Sequence, residues 1–313
     1  MNFNSLITDF LEYLEVEKGH SSLTTRNYHL YLKRLADFAS KMGVEKPENL
    51  NLELIRKYRL FLNRQKVLSK ATQNYHLIAL RAFLKYLSFR GIQTLTPDKI
   101  ELIKTGERQI SFLDDKELEE ILSKPDLKTI QGLRDKAILN LLFSTGLRVS
   151  ELCNLKKDDI NLEKSEFSVK GKGGRVRVVF LDQEAKESLK AYLAKRNDKN
   201  DYLFISYGHT KKSEIRNPKF EISPITPRSV QRMIRKYALM AGITKRVTPH
   251  VLRHSFATDL LMAGADLRAV QELLGHKSVT TTQIYTHITD RHLQEVHQAF
   301  HGQRRQPDKP SGT

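Results

Sequence analysis

The sequence predicts a mainly α protein of two domains, with one small β-sheet in the second. Three observations carry that expectation. Residues 1–93 hold apolar side chains at helical spacing and show no strand-like alternation. Two β-rich stretches, Glu166–Lys170 and Val176–Leu181, flank the turn sequence GKGGR, whose glycines supply the backbone freedom of a hairpin turn. A length of 313 residues is enough for two domains with separate cores.

In chain order, Phe3, Leu6, Ile7, Phe10, Leu11 and Leu14 mark a first helix, and Tyr28, Tyr31, Leu32, Leu35, Phe38, Ala39 and Met42 a second. Ile55, Tyr58, Phe61 and Leu62 give a third, after Pro47. Ser69 caps a fourth, which Gly91 ends. Its buried face is expected to hold Tyr75, Ile78, Ala79, Ala82, Phe83, Tyr86 and Leu87; its polar face, Lys70, Gln73, Asn74, His76, Arg81, Lys85 and Arg90. These helices form a bundle over 1–93, and a linker covers 94–110.

The second domain, 111–300, opens with Asp114 as a helix cap and Glu117 three residues on. A buried helix over 133–143 stops at Gly146, and Arg148 precedes the next. After the hairpin come a helix over Asp182–Arg196, a long polar loop over 206–225, and a helix begun by Thr226-Pro227 and ended by Gly242. Thr248-Pro249 starts another helix, which Gly264 ends; Asp266 caps the next, which stops at Gly275. Residues 301–313 read as a disordered tail.

The formal net charge is +17 and is spread over both parts. Residues 1–110 carry 18 Lys/Arg against 11 Asp/Glu, and the remainder 35 against 25. A polyanion is the expected partner, gripped by both domains. Candidate DNA contacts are Lys70, Gln73, Asn74, Arg81 and Lys85 on the fourth helix, Arg175 beside the hairpin turn, and Lys211 and Lys212 in the long loop. A single cysteine, Cys153, in the apolar run LCNL, excludes an internal disulfide and a cysteine-rich zinc site. The acidic, amphipathic N-terminus is unlike a signal peptide, and no apolar run reaches membrane-span length, so a cytoplasmic, nucleoid-associated protein is expected. The hairpin glycines with Lys172 lack the G-x-x-x-x-G-K-[ST] pattern and lead into a strand, which argues against ATP binding.

Six residues describe one reaction: Arg148, Lys172, His250, Arg253, His276 and Tyr285. Attack on a phosphodiester builds negative charge on two non-bridging oxygens, which two guanidiniums can bind in bidentate fashion. A phenol can attack and hold the phosphate covalently. A lysine on a turn can protonate the departing 5′-oxygen, and a histidine can move the phenol proton. Since no Asp/Glu cluster for two divalent ions is visible, cationic side chains would take the metal's place, and no cofactor is expected.

The segments STGLRVSELCNL (144–155), VKGKGGRVRVV (169–179), TPHVLRHSFATDLLMAGAD (248–266) and LLGHKSVTTTQIYTH (273–287) resemble those of the tyrosine recombinases, most closely the Xer branch that resolves chromosome dimers. SSLTTRNYHLYLKRLADFA (21–39) is similar to that family's core-binding domain. The resemblance implies a C-shaped clamp in which a helical, SAM-like core-binding domain and a catalytic domain grip opposite faces of double-stranded DNA. It implies Tyr285 as nucleophile forming a 3′-phosphotyrosyl link, and Arg148 and Arg253 on the transition state. His276 would sit on a non-bridging oxygen, His250 would act as acid and base near the tyrosine, and Lys172 would be the leaving-group acid. Four protomers would exchange strands through a Holliday junction on two dif-like sites, the segment Asp290–Phe300 docking on a neighbouring protomer. A second Xer recombinase and an FtsK-like translocase are the further partners implied. The same chemistry would serve an integrase or transposase of a mobile element or integron. From other classes, a type IB topoisomerase and a non-catalytic DNA-binding protein are the alternatives.

Overall fold

In a computed structural model, residues 2–65, 68–104, 106, 111–171, 174–207 and 223–275 are described. The chain divides into two compact units, residues 1–108 and 109–313. No helix among the described residues is long and apolar enough to cross a membrane.

The first unit is built from α1 (Phe3–Val16), α2 (Ser22–Lys41), α3 (Leu52–Arg64) and α4 (Lys70–Phe89). Each begins at a small polar residue whose side chain accepts a backbone N–H two or three residues into the helix: Asn2, Ser21, Asn51 and Ser69. Phe10 is 1% exposed and lies against Tyr28, Phe83 and Tyr86, tying α1, α2 and α4 together.

The facing of α4 differs from the sequence expectation. Tyr75 and Ile78 are exposed, while Gln73 and His76 are buried in line with Leu77, Leu80, Phe83, Leu84 and Leu87. The two polar groups tolerate burial because they are paired. His76 Nδ1 meets the Tyr58 hydroxyl at 3.0 Å and its Nε2 lies 3.5 Å from Arg34 Nη1; Gln73 Nε2 donates to the Leu68 carbonyl at 3.2 Å. Burial, with the Arg34 charge adding to it, lowers the His76 pKa to about 4, so the ring is neutral. Asn74 donates to the Ile103 carbonyl and accepts the Ile103 N–H, both at 2.8 Å. Gln73 and Asn74, expected on a DNA-facing surface, therefore spend their hydrogen bonds inside the unit. Lys70 and Lys85 are exposed, and Arg81 is half-buried, 3.7 Å from Asp98. The first part of the expected linker also belongs here, since Ile100 is 2% exposed in this core and Leu95 and Ile103 pack on it.

The second unit comprises α5 (Asp115–Ser123), α6 (Ile130–Thr145), α7 (Val149–Asn154), the hairpin β1 (Glu166–Lys170) and β2 (Val176–Phe180), α8 (Gln183–Ala194), α9 (Pro227–Met240), α10 (Pro249–Met262) and α11 (Leu267–Leu274). Asp114 and Glu117 form a reciprocal capping box at the start of α5. Helix α6 is the axle. Ala137, Ile138, Leu139, Leu141 and Leu142 are fully buried around its circumference, so it packs on several elements at once, α8 and α10 among them. The antiparallel strands pair Glu166 with Phe180 through Lys170 with Val176. Phe167, Val169 and Val179 point into the core. Gly174, at φ +79°, provides the left-handed position in the turn. Cys153 is a core residue, and burial pushes its thiol up to about 12.

Candidate active site

Two helix ends place Arg148. Gly146, at φ +58°, closes α6 with a left-handed residue. A Cβ at that position would lie 2.5 Å from Phe256 Cδ1, so the turn excludes larger residues on two counts. After the buried Leu147, Arg148 becomes the N-cap of α7. Glu151 accepts the Arg148 backbone N–H at 2.9 Å and its Nη1 at 2.8 Å; Arg148 Nη2 donates to the Gly275 carbonyl at 3.2 Å.

Arg253 arrives on α10, whose start is set by the Thr248 side chain and Pro249 in the first turn. Although His250 lies only three residues before it, the two differ in burial: His250 is exposed and Arg253 is 5% exposed. Arg253 Nη1 donates to the Gly146 carbonyl and Nη2 to the Leu274 carbonyl.

A third guanidinium comes from β2. Arg177 Nε donates to the Leu273 carbonyl at 3.0 Å, while Nη1 and Nη2 hold the two oxygens of Glu151 at 3.1 and 2.9 Å. Three arginines thus hold the consecutive carbonyls 273, 274 and 275 at the end of α11, where helix carbonyls lack intrahelical partners and carry partial negative charge. Gly275, at φ +63°, terminates the helix, and a Cβ there would stand 3.0 Å from Arg177 Cδ.

Burial pushes the Glu151 carboxyl up, but the Arg177 hydrogen bonds, then the Arg148 N–H, the Arg177 charge and the Arg148 side-chain hydrogen bond, outweigh it and hold the pKa at about 2. Two guanidiniums therefore share one carboxylate, and Arg253 adds a third positive charge at the same helix end. The local excess of positive charge suits a phosphodiester, whose charge grows as its phosphorus becomes pentavalent. The Arg148 side chain is 29% exposed, so this charge is within reach of solvent.

Lys172, His276 and Tyr285 lie outside the described residues, as do Lys211, Lys212 and the tail. Their places in sequence are still informative. Lys172 falls within the turn between β1 and β2, and His276 directly follows the Gly275 carbonyl that Arg148 holds. Arg175 is exposed beside the same turn. The site contains two residues that the motif reading passed over, Glu151 and Arg177. Strand parity could have found the second: residues 177 and 179 share the inward face of β2, and a charged residue there demands a buried partner.

The phage integrase family profile matches residues 111–292, and the profile of its N-terminal SAM-like domain matches residues 7–91. The chain belongs to the phage integrase family. It is 39% identical over 303 residues to tyrosine recombinase XerC of Thermodesulfovibrio yellowstonii, covering 96% of this chain and 97% of that one. It is 36% identical over 307 residues to tyrosine recombinase XerD of Listeria monocytogenes serotype 4b, covering 95% and 99%. Among solved structures it is similar to XerH site-specific recombinase bound to palindromic difH substrate in a post-cleavage complex, with a TM-score of 0.71, 26% identity, and coverage of 93% of this chain and 84% of that one. The resemblance seen in the sequence motifs is thereby established: the protein is a tyrosine recombinase of the Xer branch, a DNA strand-transferring enzyme.

Proposed function

We propose that this recombinase exchanges strands between two copies of a dif-like DNA site and so resolves chromosome or plasmid dimers. The observation that carries the chemistry is the convergence of Arg148 and Arg253, from separate helices, on adjacent carbonyls just before His276. In this reading the Tyr285 phenolate oxygen attacks the scissile phosphorus as the bond to the 5′-oxygen breaks. Lys172 gives that oxygen its proton, and His250 takes the phenol proton. Arg148, Arg253 and His276 donate to the non-bridging oxygens as the pentavalent state forms. The product is a 3′-phosphotyrosyl link and a free 5′-hydroxyl. A 5′-hydroxyl from the partner duplex then attacks the link and restores the tyrosine. One phosphoester replaces another at each step, so neither ATP nor a metal ion is required by the balance of the reaction.

The remaining parts of the proposal concern assembly. Exposed Lys70 and Lys85 on α4 and Arg175 beside the turn are available to phosphates. Four protomers, identical or from two Xer recombinases, occupy two sites through a Holliday junction in the cytoplasm, and an FtsK-like translocase acts as the trigger.

The test is a nicked suicide duplex carrying a dif-like site, which loses its short 5′-hydroxyl fragment on cleavage and traps the covalent state. A denaturation-resistant adduct on the 3′-phosphate with wild type, absent for Tyr285→Phe, is the expected result. An adduct with Tyr285→Phe would assign the nucleophile elsewhere.

A further inference from the structure

Arg177 lies outside the six residues that the reaction calls on, yet its position is hard to explain as packing. It faces inward from β2, opposite Val169 in the strand register and beside Val179. An aliphatic residue would suit that face at least as well, since buried ion pairs are often replaced by apolar residues without loss of stability. Its side chain is 10% exposed, and each of its three nitrogens is engaged, two with Glu151 and one with the Leu273 carbonyl. Its Nη1 and Nη2 are both committed to a carboxylate within the protein, whereas those of Arg253 rest on neutral carbonyls, so Arg177 is not poised to touch a phosphate.

What it connects is specific. Glu151 is the group that holds Arg148 through both its backbone N–H and its guanidinium. Leu273 lies in the last turn of α11, one residue before the carbonyl that Arg253 holds and two before the one that Arg148 holds. The strand that carries Arg177 also leads directly from the turn bearing Lys172. One planar fork thus fixes the hairpin, the carboxylate beneath Arg148 and the end of α11 in a single arrangement. Glu151 cannot follow Arg148 out toward a phosphate while Arg177 grips both of its oxygens, so the Arg148 guanidinium keeps one orientation.

We propose that Arg177 is a positioning residue for strand cleavage, acting through Glu151 to aim Arg148 at the scissile phosphate. This inference rests on the assignment of Arg148 to that phosphate. A lysine at 177 would keep the charge that buried Glu151 requires but would present a point charge in place of the fork.

The experiment measures single-turnover cleavage of the suicide duplex at saturating protein, together with affinity for the same duplex. Arg177→Lys is made in wild type and in the Arg148→Ala background. Cleavage about tenfold slower in the first case, affinity within about twofold, and a further loss under about twofold in the second are expected, because residues acting through one another are not additive. Full-rate cleavage by Arg177→Lys would overturn the inference, as would an equal loss in both backgrounds. Arg148→Ala cleaving at the wild-type rate would instead remove the role of Arg148, and the inference with it, so the two failures are told apart. Should the lysine variant fold poorly, the paired substitution Arg177→Leu with Glu151→Gln removes both buried charges together. The same slowed cleavage is expected of it, and a wild-type rate from that pair would refute the role.

Discussion

Glu151→Gln is the perturbation whose magnitude the structure fixes best. The carboxylate side chain is 5% exposed and receives four hydrogen bonds, two from Arg177 and two from Arg148. Its pKa of about 2, against an ordinary 4.5, is a statement about stability. A depressed folded-state pKa contributes stability that is fully present above the unfolded value and is lost as pH falls through the folded one. Holding the carboxyl at about 2 in place of 4.5 corresponds to about 3.4 kcal/mol at neutral pH, as an upper bound. At pH 3.5 the unfolded carboxyl is already mostly protonated, and the contribution falls to about 2 kcal/mol. Glutamine keeps the shape, cannot titrate, and turns one acceptor into a donor facing a guanidinium. Urea denaturation of wild type and Glu151→Gln at pH 7 and pH 3.5 should give a stability difference of about 2–3 kcal/mol that narrows by about 1 kcal/mol at the lower pH. A difference unchanged between the two pH values would refute the ionised, doubly clamped carboxylate. So would equal stability at pH 7.

Removal of the second guanidinium by Arg253→Ala should slow covalent adduct formation by roughly 10²–10³-fold in single-turnover assays, on the scale of a lost oxyanion donor; a rate within a few-fold of wild type would exclude it from the transition state. Gly146→Ala places a Cβ against the Phe256 ring at a left-handed φ, and a loss of about 1–3 kcal/mol in denaturation is expected. Asn74→Ala removes both hydrogen bonds that hold the Ile103 backbone, so stability should fall by about 1–3 kcal/mol with DNA affinity within about twofold. Lys85→Ala should do the reverse, leaving stability alone and lowering the salt dependence of DNA binding by about one unit of slope.

The contrast between Asn74 and Lys85 shows where sequence reading works and where it stops. Helix ends were legible because capping is local: Ser69, Asp114, Thr226, Thr248 and Asp266 each meet a backbone N–H within three residues. The facing of α4 was not, because residue type alone does not reveal a partner. Gln73 and His76 are as polar as Lys85, and only Tyr58 and the Leu68 carbonyl, supplied by other parts of the bundle, make their burial tolerable. The same limit applies at the site. Arg148 and Arg253 could be singled out because one reaction needs two bidentate cations, a chemical argument that requires no distances. Glu151 and Arg177 answer to a different need, that of a buried charge for its counter-charge. That pairing joins β2 to α7 across segments far apart in sequence. A charged residue on an inward strand face is nonetheless a signal in itself. Unlike Gln or His, a buried arginine keeps its charge and favours an anion beside it, and at position 177 that anion is the carboxylate that holds Arg148.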